Sequence, residues 1–181
     1  MRRYKILNVI IPLVLITFSL AGLLYAAEEE EDKLIGTEAK DFTLKQLFED
    51  EEITLSNFEG EKAVVLDFFE TWCGPCRKAL PMLNEFYNKH NDDVEVFSIT
   101  MAQDIDVLKE FFNDEDNKID YSILLDPKVE TSEAFPHQFI PYMVIIDIDG
   151  VIIDTHTGFD PKLIDYLEEV LGLEEEEESS G

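Results

Sequence analysis

Apolar residues along this chain fall into short runs of two kinds. Ala63-Val64-Val65-Leu66-Asp67-Phe68-Phe69 is almost continuous and partly β-branched, long enough for a buried central strand and too short for a buried helix. Beyond it Leu80, Leu83, Phe86 and Tyr87 recur at helical spacing, which predicts a helix ending near His90. The same reading predicts a strand over residues 94–100, a helix over about 106–113, a strand over 121–125 and a short helix near 129–135. A hairpin follows, in which Asp147-Ile148-Asp149-Gly150 turns between two apolar runs and Gly150 supplies positive φ. The last helix is marked by Asp160 as N-cap, Pro161 as first residue and an apolar stripe of Leu163, Ile164, Leu167 and Leu171. Strands that alternate with helices and close in a hairpin predict an α/β sandwich with a mixed central sheet.

The N-terminus follows a different rule. Residues 1–5 are basic, and residues 6–27 form 22 uncharged, mostly apolar positions. At about 1.5 Å rise per residue such a helix crosses a hydrocarbon core of about 30 Å. The basic end stays inside, so the rest of the chain is expected outside the cytoplasm. A secretory signal is the alternative, since Ala26 and Ala27 offer a cleavage site, but signal cores run to about 7–15 apolar residues and favour the anchor reading by length. Residues 28–33 read as an acidic stalk, 34–172 as one domain and 173–181 as a disordered acidic tail.

Composition changes the picture through charge. Asp and Glu number 41 against 14 Lys and Arg, a net of −27. Repulsion disfavours nucleic acid as a partner, and anionic lipid as a partner of the domain itself.

Only two cysteines are present, both in Trp72-Cys73-Gly74-Pro75-Cys76. A bridge across two residues closes almost no loop, so stability is a poor reason for it. A zinc site wants four Cys or His ligands, and His90, His137 and His156 show no ligand spacing to the pair. The remaining reading is reversible dithiol chemistry, with no metal and no cofactor. The run from 63 to 69 and the helical pattern after Cys76 put Cys73 at a helix N-terminus, where orphan N–H groups and the helix dipole favour a thiolate. Cys76, one turn in, is expected to be shielded and to act second. Gly74 and Pro75 shape the turn, Pro suiting the first helical turn because its missing N–H is not needed there. Asp67, among Val65, Leu66, Phe68 and Phe69, is expected to be buried, with a raised pKa suited to acid-base work near neutrality.

Together these residues resemble the thioredoxin superfamily. The resemblance implies that Asp67, six positions before Cys73, moves a proton to and from the second cysteine, although most membrane-anchored relatives look more often like Asn there. It implies that Pro81 kinks the active-site helix, and that Ile140-Pro141 is a cis-proline loop whose Ile140 backbone faces the cysteines and pairs with extended substrate. Relatives usually follow that proline with Thr; here it is Tyr142, expected to cover or line the docking groove. Gly158 falls where the superfamily keeps a glycine near the active-site face. The resemblance runs from about Leu34 to Leu171 and implies a thioredoxin-like three-layer sandwich. Its narrower form is the TlpA/ResA-like branch, through a pre-strand segment at residues 53–60 and an extra segment at about 104–139. That branch implies a membrane-tethered thiol-disulfide oxidoreductase acting outside the cytoplasm on protein disulfides, among them those of apocytochrome c; as a reductant there it would need electrons from a membrane thiol donor. Some members carry an acid three residues after the second cysteine, where this chain has Ala79, so that acid's role does not transfer.

Three other readings remain beside a reductase: a dithiol oxidase or isomerase, a peroxidase, and a tethered peptide-binding module without turnover. Peroxiredoxins place their cysteine in Pro-x-x-x-Thr-x-x-Cys, and Leu66 and Glu70 stand at those positions before Cys73.

Overall fold

A computed structural model describes residues 34–173 except Gln103. The expected anchor, the stalk and the tail from residue 174 lie outside the described residues. Among the described residues no helix is long and apolar enough to cross a membrane.

Seven strands form one sheet: β1 (Thr43–Gln46), β2 (Glu52–Thr54), β3 (Ala63–Phe68), β4 (Val94–Thr100), β5 (Ser122–Leu125), β6 (Tyr142–Ile146) and β7 (Ile152–Thr157). Their order is β2-β1-β5-β4-β3-β6-β7. β3, β4 and β5 run parallel, while β1, β2, β6 and β7 pair antiparallel with their neighbours. Helices α1 (Gly74–His90), α2 (Ile105–Asn113), α3 (Glu130–Ala134) and α4 (Leu163–Leu171) connect or follow them. This is the thioredoxin-like α/β fold expected, with a mixed sheet and flanking helices.

Strand parity divides the core. Val65 and Phe69 of the β3 run pack with Leu80, Leu83 and Phe86 of α1, Leu108 and Phe112 of α2, and Leu163 and Leu167 of α4. Val64, Leu66 and Phe68 face the other way, onto Phe42, Leu55 and Phe135. Three helices therefore cover one face; the other is closed by α3, the 3-10 turn Leu55–Phe58 and the segment before β1. Because β3 is central and covered on both faces, its apolar run hardly alternates.

Several boundaries differ by a residue or two, two of them for a visible reason, and one hairpin is new. α4 begins at Leu163, not at Pro161: Asp160 Oδ1 accepts the Lys162 N–H at 2.8 Å and its carbonyl accepts the Leu163 N–H at 3.2 Å, so Asp160 closes a separate turn just before the helix. α2 begins one residue earlier than expected, because Asp104 caps it through the Val107 N–H. The β1–β2 hairpin has no counterpart in the periodicity, since its strands are four and three residues long.

Val129, just before α3, has φ 64. A β-branched residue there crowds its Cβ against the backbone, at a cost of about 1–2 kcal/mol that glycine avoids. The side chain is exposed, so little burial is lost on removing it. Val129→Gly is expected to raise stability by about 0.5–1 kcal/mol after the entropy cost of glycine, read as a higher urea midpoint at constant slope.

Candidate active site

Cys73 is the N-cap of α1, in extended conformation with Pro75 in the first turn. Its Sγ accepts the Cys76 N–H at 3.2 Å, and its own N–H donates to the Glu70 carbonyl at 3.0 Å. The chain enters the helix through that turn, which aims an orphan N–H at the first sulfur. The two sulfurs are bonded, and they are unequal: Cys73 retains 5% of its surface and Cys76 none. Pro81 lies inside the same helix, where it leaves the Arg77 carbonyl without its helical donor.

The Ile140-Pro141 peptide is cis, as the resemblance implied. The Ile140 carbonyl oxygen lies 3.7 Å from Cys73 Sγ, and the Pro141 carbonyl accepts the Gly158 N–H at 2.8 Å. Gly158, with φ 95, thus ties the end of β7 to the proline loop, a place that a side chain would strain. Trp72, next to Cys73, is 77% exposed, and Phe139, next to Ile140, and Phe159, next to Gly158, are exposed as well. Lys78 Nζ lies 5.8 Å from the centre of the Phe159 ring.

Tyr142 is not on that rim. It is fully buried on the sheet face away from the cysteines, its ring stacked on His137 at 4.9 Å and near Phe68 at 5.9 Å. The expectation that its side chain covers or lines the docking groove is corrected by parity: Met143, not Tyr142, faces the cysteine side.

Asp67 has no exposed surface, and it alternates with Val65 and Phe69 on the cysteine face. Its Oδ2 accepts the Ser98 hydroxyl at 2.9 Å, whereas Oδ1 is buried with no hydrogen-bond partner. Burial pushes its pKa from 3.8 up to about 7, the Ser98 hydrogen bond pulling weakly the other way. Three further residues belong to the site, and none of them has a role in it from the sequence alone. Ser98 lies opposite Asp67 in the β3–β4 register; Tyr121 has its hydroxyl 3.2 Å from Ser98 Oγ; and Glu70, buried, accepts the Met101 N–H at 2.9 Å. Only Glu70 left a signal, as a charge inside Phe68-Phe69-Glu70-Thr71-Trp72. It also occupies the position where a peroxidase would carry threonine. Among the described residues no group of three or more His, Cys, Asp or Glu is placed to hold a metal ion.

What such a pair can do is exchange. The outer sulfur accepts the Cys76 N–H at the helix start, a setting that favours a thiolate, while the inner sulfur is sealed from solvent. That asymmetry on a thioredoxin-like sheet defines a thiol-disulfide oxidoreductase. The chain belongs to the AhpC/TSA family, which it matches over residues 35–155. It is 30% identical over 175 residues to the thiol-disulfide oxidoreductase ResA of Bacillus cereus, covering 94% of this chain and 99% of that protein. Over 130 residues it is 31% identical to sporulation thiol-disulfide oxidoreductase A of Bacillus subtilis, covering 70% and 75%. The crystal structure of StoA from Bacillus subtilis superposes with a TM-score of 0.61 at 29% identity, covering 73% of this chain and 96% of that one. A 2-Cys peroxiredoxin from Plasmodium vivax, at 18% identity and a TM-score of 0.64, shares the fold alone.

Proposed function

We propose that this protein reduces disulfides of client proteins outside the cytoplasm, with residues 6–27 as its membrane anchor and apocytochrome c as a client. The Cys73 thiolate attacks a client disulfide, forming a Cys73–client bond and releasing the first client sulfur, which takes up a proton. Cys76 then passes its proton to Asp67, and its thiolate attacks Cys73 Sγ. The Cys73–Cys76 bond replaces the Cys73–client bond, and the second client sulfur leaves and takes up the proton. Two electrons pass from dithiol to client, and a membrane thiol donor restores the pair.

The observation that carries this reading is the inequality of the sulfurs: one at a helix N-cap beside the Ile140 carbonyl, its mate sealed on the Asp67 side. Trp72, Phe139 and Phe159, neighbours in the chain of Cys73, Ile140 and Gly158, offer apolar surface for an unfolded client segment beside the Ile140 backbone. The relatives named as thiol-disulfide oxidoreductases support the same activity. The test is the reduction potential together with insulin reduction. A reductant is expected near the thioredoxin value of about −270 mV, with insulin turnover; a potential near about −120 mV assigns the protein to the oxidase reading instead.

A further inference from the structure

We infer that Ser98 and Tyr121 are positioning residues for Asp67: their two hydroxyls form a chain that fixes Oδ2 and leaves Oδ1 as the atom that exchanges a proton with Cys76. This inference rests on the dithiol reading above and deepens it.

The geometry is set by strand register. Asp67 and Ser98 are partners on parallel β3 and β4. Ser98 is in turn opposite Ile123 on β5, and Tyr121, two residues before Ile123, shares its face. A serine hydroxyl has one proton. Ser98 Oγ lies 2.9 Å from Asp67 Oδ2 and 3.2 Å from the Tyr121 hydroxyl; when Asp67 is ionised the single serine proton goes to the carboxylate, and the Tyr121 hydroxyl then donates to Ser98 Oγ. All three groups are buried, so water does not compete for these bonds. Oδ1 is left as the carboxylate atom with an open lone pair. When it takes a proton, Oδ2 keeps its bond and the carboxyl need not rotate.

The titratable groups packed on this face are Cys73, Cys76, Tyr87 and His90 of α1, Tyr121 before β5, Glu70 after β3, Asp154 and His156 of β7, and Tyr166 and Glu168 of α4; Tyr166 donates to Asp154 Oδ2 at 3.0 Å and Glu168 bonds His90 at 2.9 Å. His156 lies opposite Met143, which itself pairs with Asp67. Arg77 and Lys78 of α1 lie instead over the rings of Phe111 and Phe159. Among the described residues Ser98 is the group that hydrogen-bonds the Asp67 carboxyl, and it favours the ionised form.

The test follows the Asp67 carboxyl by carbon-13 NMR in the reduced protein, beside the pH profile of insulin reduction. In Ser98→Ala the Asp67 midpoint is expected to rise by about one pH unit, the scale of a lost hydrogen bond to a charge. Tyr121→Phe is expected to raise it by about half a unit, because Ser98 loses its donor and becomes a weaker one. Ser98→Thr, which keeps the hydroxyl, should return it. Insulin reduction by Ser98→Ala should be about fivefold slower at pH 7 and approach the unsubstituted rate above pH 9, as the base becomes ionised in both. An unmoved Asp67 midpoint in both Ser98→Ala and Tyr121→Phe, or a rate loss equal at every pH, overturns the inference. If the unsubstituted protein reduces no disulfide at any pH, the reductase reading fails, while the carboxyl titration still decides the hydroxyl chain.

Discussion

Asp67→Asn is expected to make the oxidised protein markedly more stable at pH 8 while changing it little at pH 4. Asp67 is fully buried with one unpartnered oxygen, and burial holds its pKa near 7 against an ordinary 3.8. The folded state thus binds more protons than the unfolded state between those values, and stability falls as pH rises through them. What Asp67 contributes is fully present below its unfolded pKa and lost by the time pH has passed about 7. The interval from 3.8 to about 7 corresponds to about 4 kcal/mol at most. An amide of the same shape carries no charge to desolvate, so the variant escapes that loss. Every other carboxylate titrates alike in both proteins and cancels in the comparison. Chemical denaturation of the disulfide forms at pH 4 and pH 8 measures it; a gap no larger at pH 8 than at pH 4 shows that the folded protein does not hold Asp67 as a high-pKa acid. The same substitution is expected to slow insulin reduction, since in the proposed mechanism Asp67 takes the Cys76 proton. Stability gained and activity lost at one residue is the signature of a buried group retained for chemistry.

The second large effect is expected at the cysteines. Cys73→Ser should lose turnover by on the order of 10³-fold or more, as when a covalent nucleophile is removed. Cys76→Ser should also lose turnover, yet accumulate a covalent Cys73–client species visible on non-reducing gels. The reason is positional: Cys73 keeps its helix N-cap and the N–H of residue 76, so attack survives, whereas the sulfur that releases the client is gone. Neither change should cost much folding energy, because the bridge spans only two intervening residues. A peptide-binding module without turnover predicts the opposite, with client retention unaffected by Cys76→Ser and no covalent species. Capture from membranes would also identify clients, and a trapped cytochrome apoprotein would assign both client and direction of electron flow.

Much of this protein was legible along the chain. The run from 63 to 69, the Cys73–Cys76 spacing and the stripe from Leu163 to Leu171 are local signals, because hydrophobic period and helix-start chemistry act between residues a few positions apart. They placed the dithiol at a helix N-terminus and Asp67 in the core. The cis Ile140-Pro141 bond came from resemblance and not from any local rule. Tertiary structure alone decided which groups meet. Ser98 reaches Asp67 across 31 positions, and Ile140 reaches Cys73 across 67, through strand pairing that leaves no periodic trace in either segment. It also decided that Tyr142 turns its ring to the far side of the sheet and Met143 its side chain to the near one. In a strand buried on both faces both residues are apolar, so composition cannot say which way each points; only the register against β3 does.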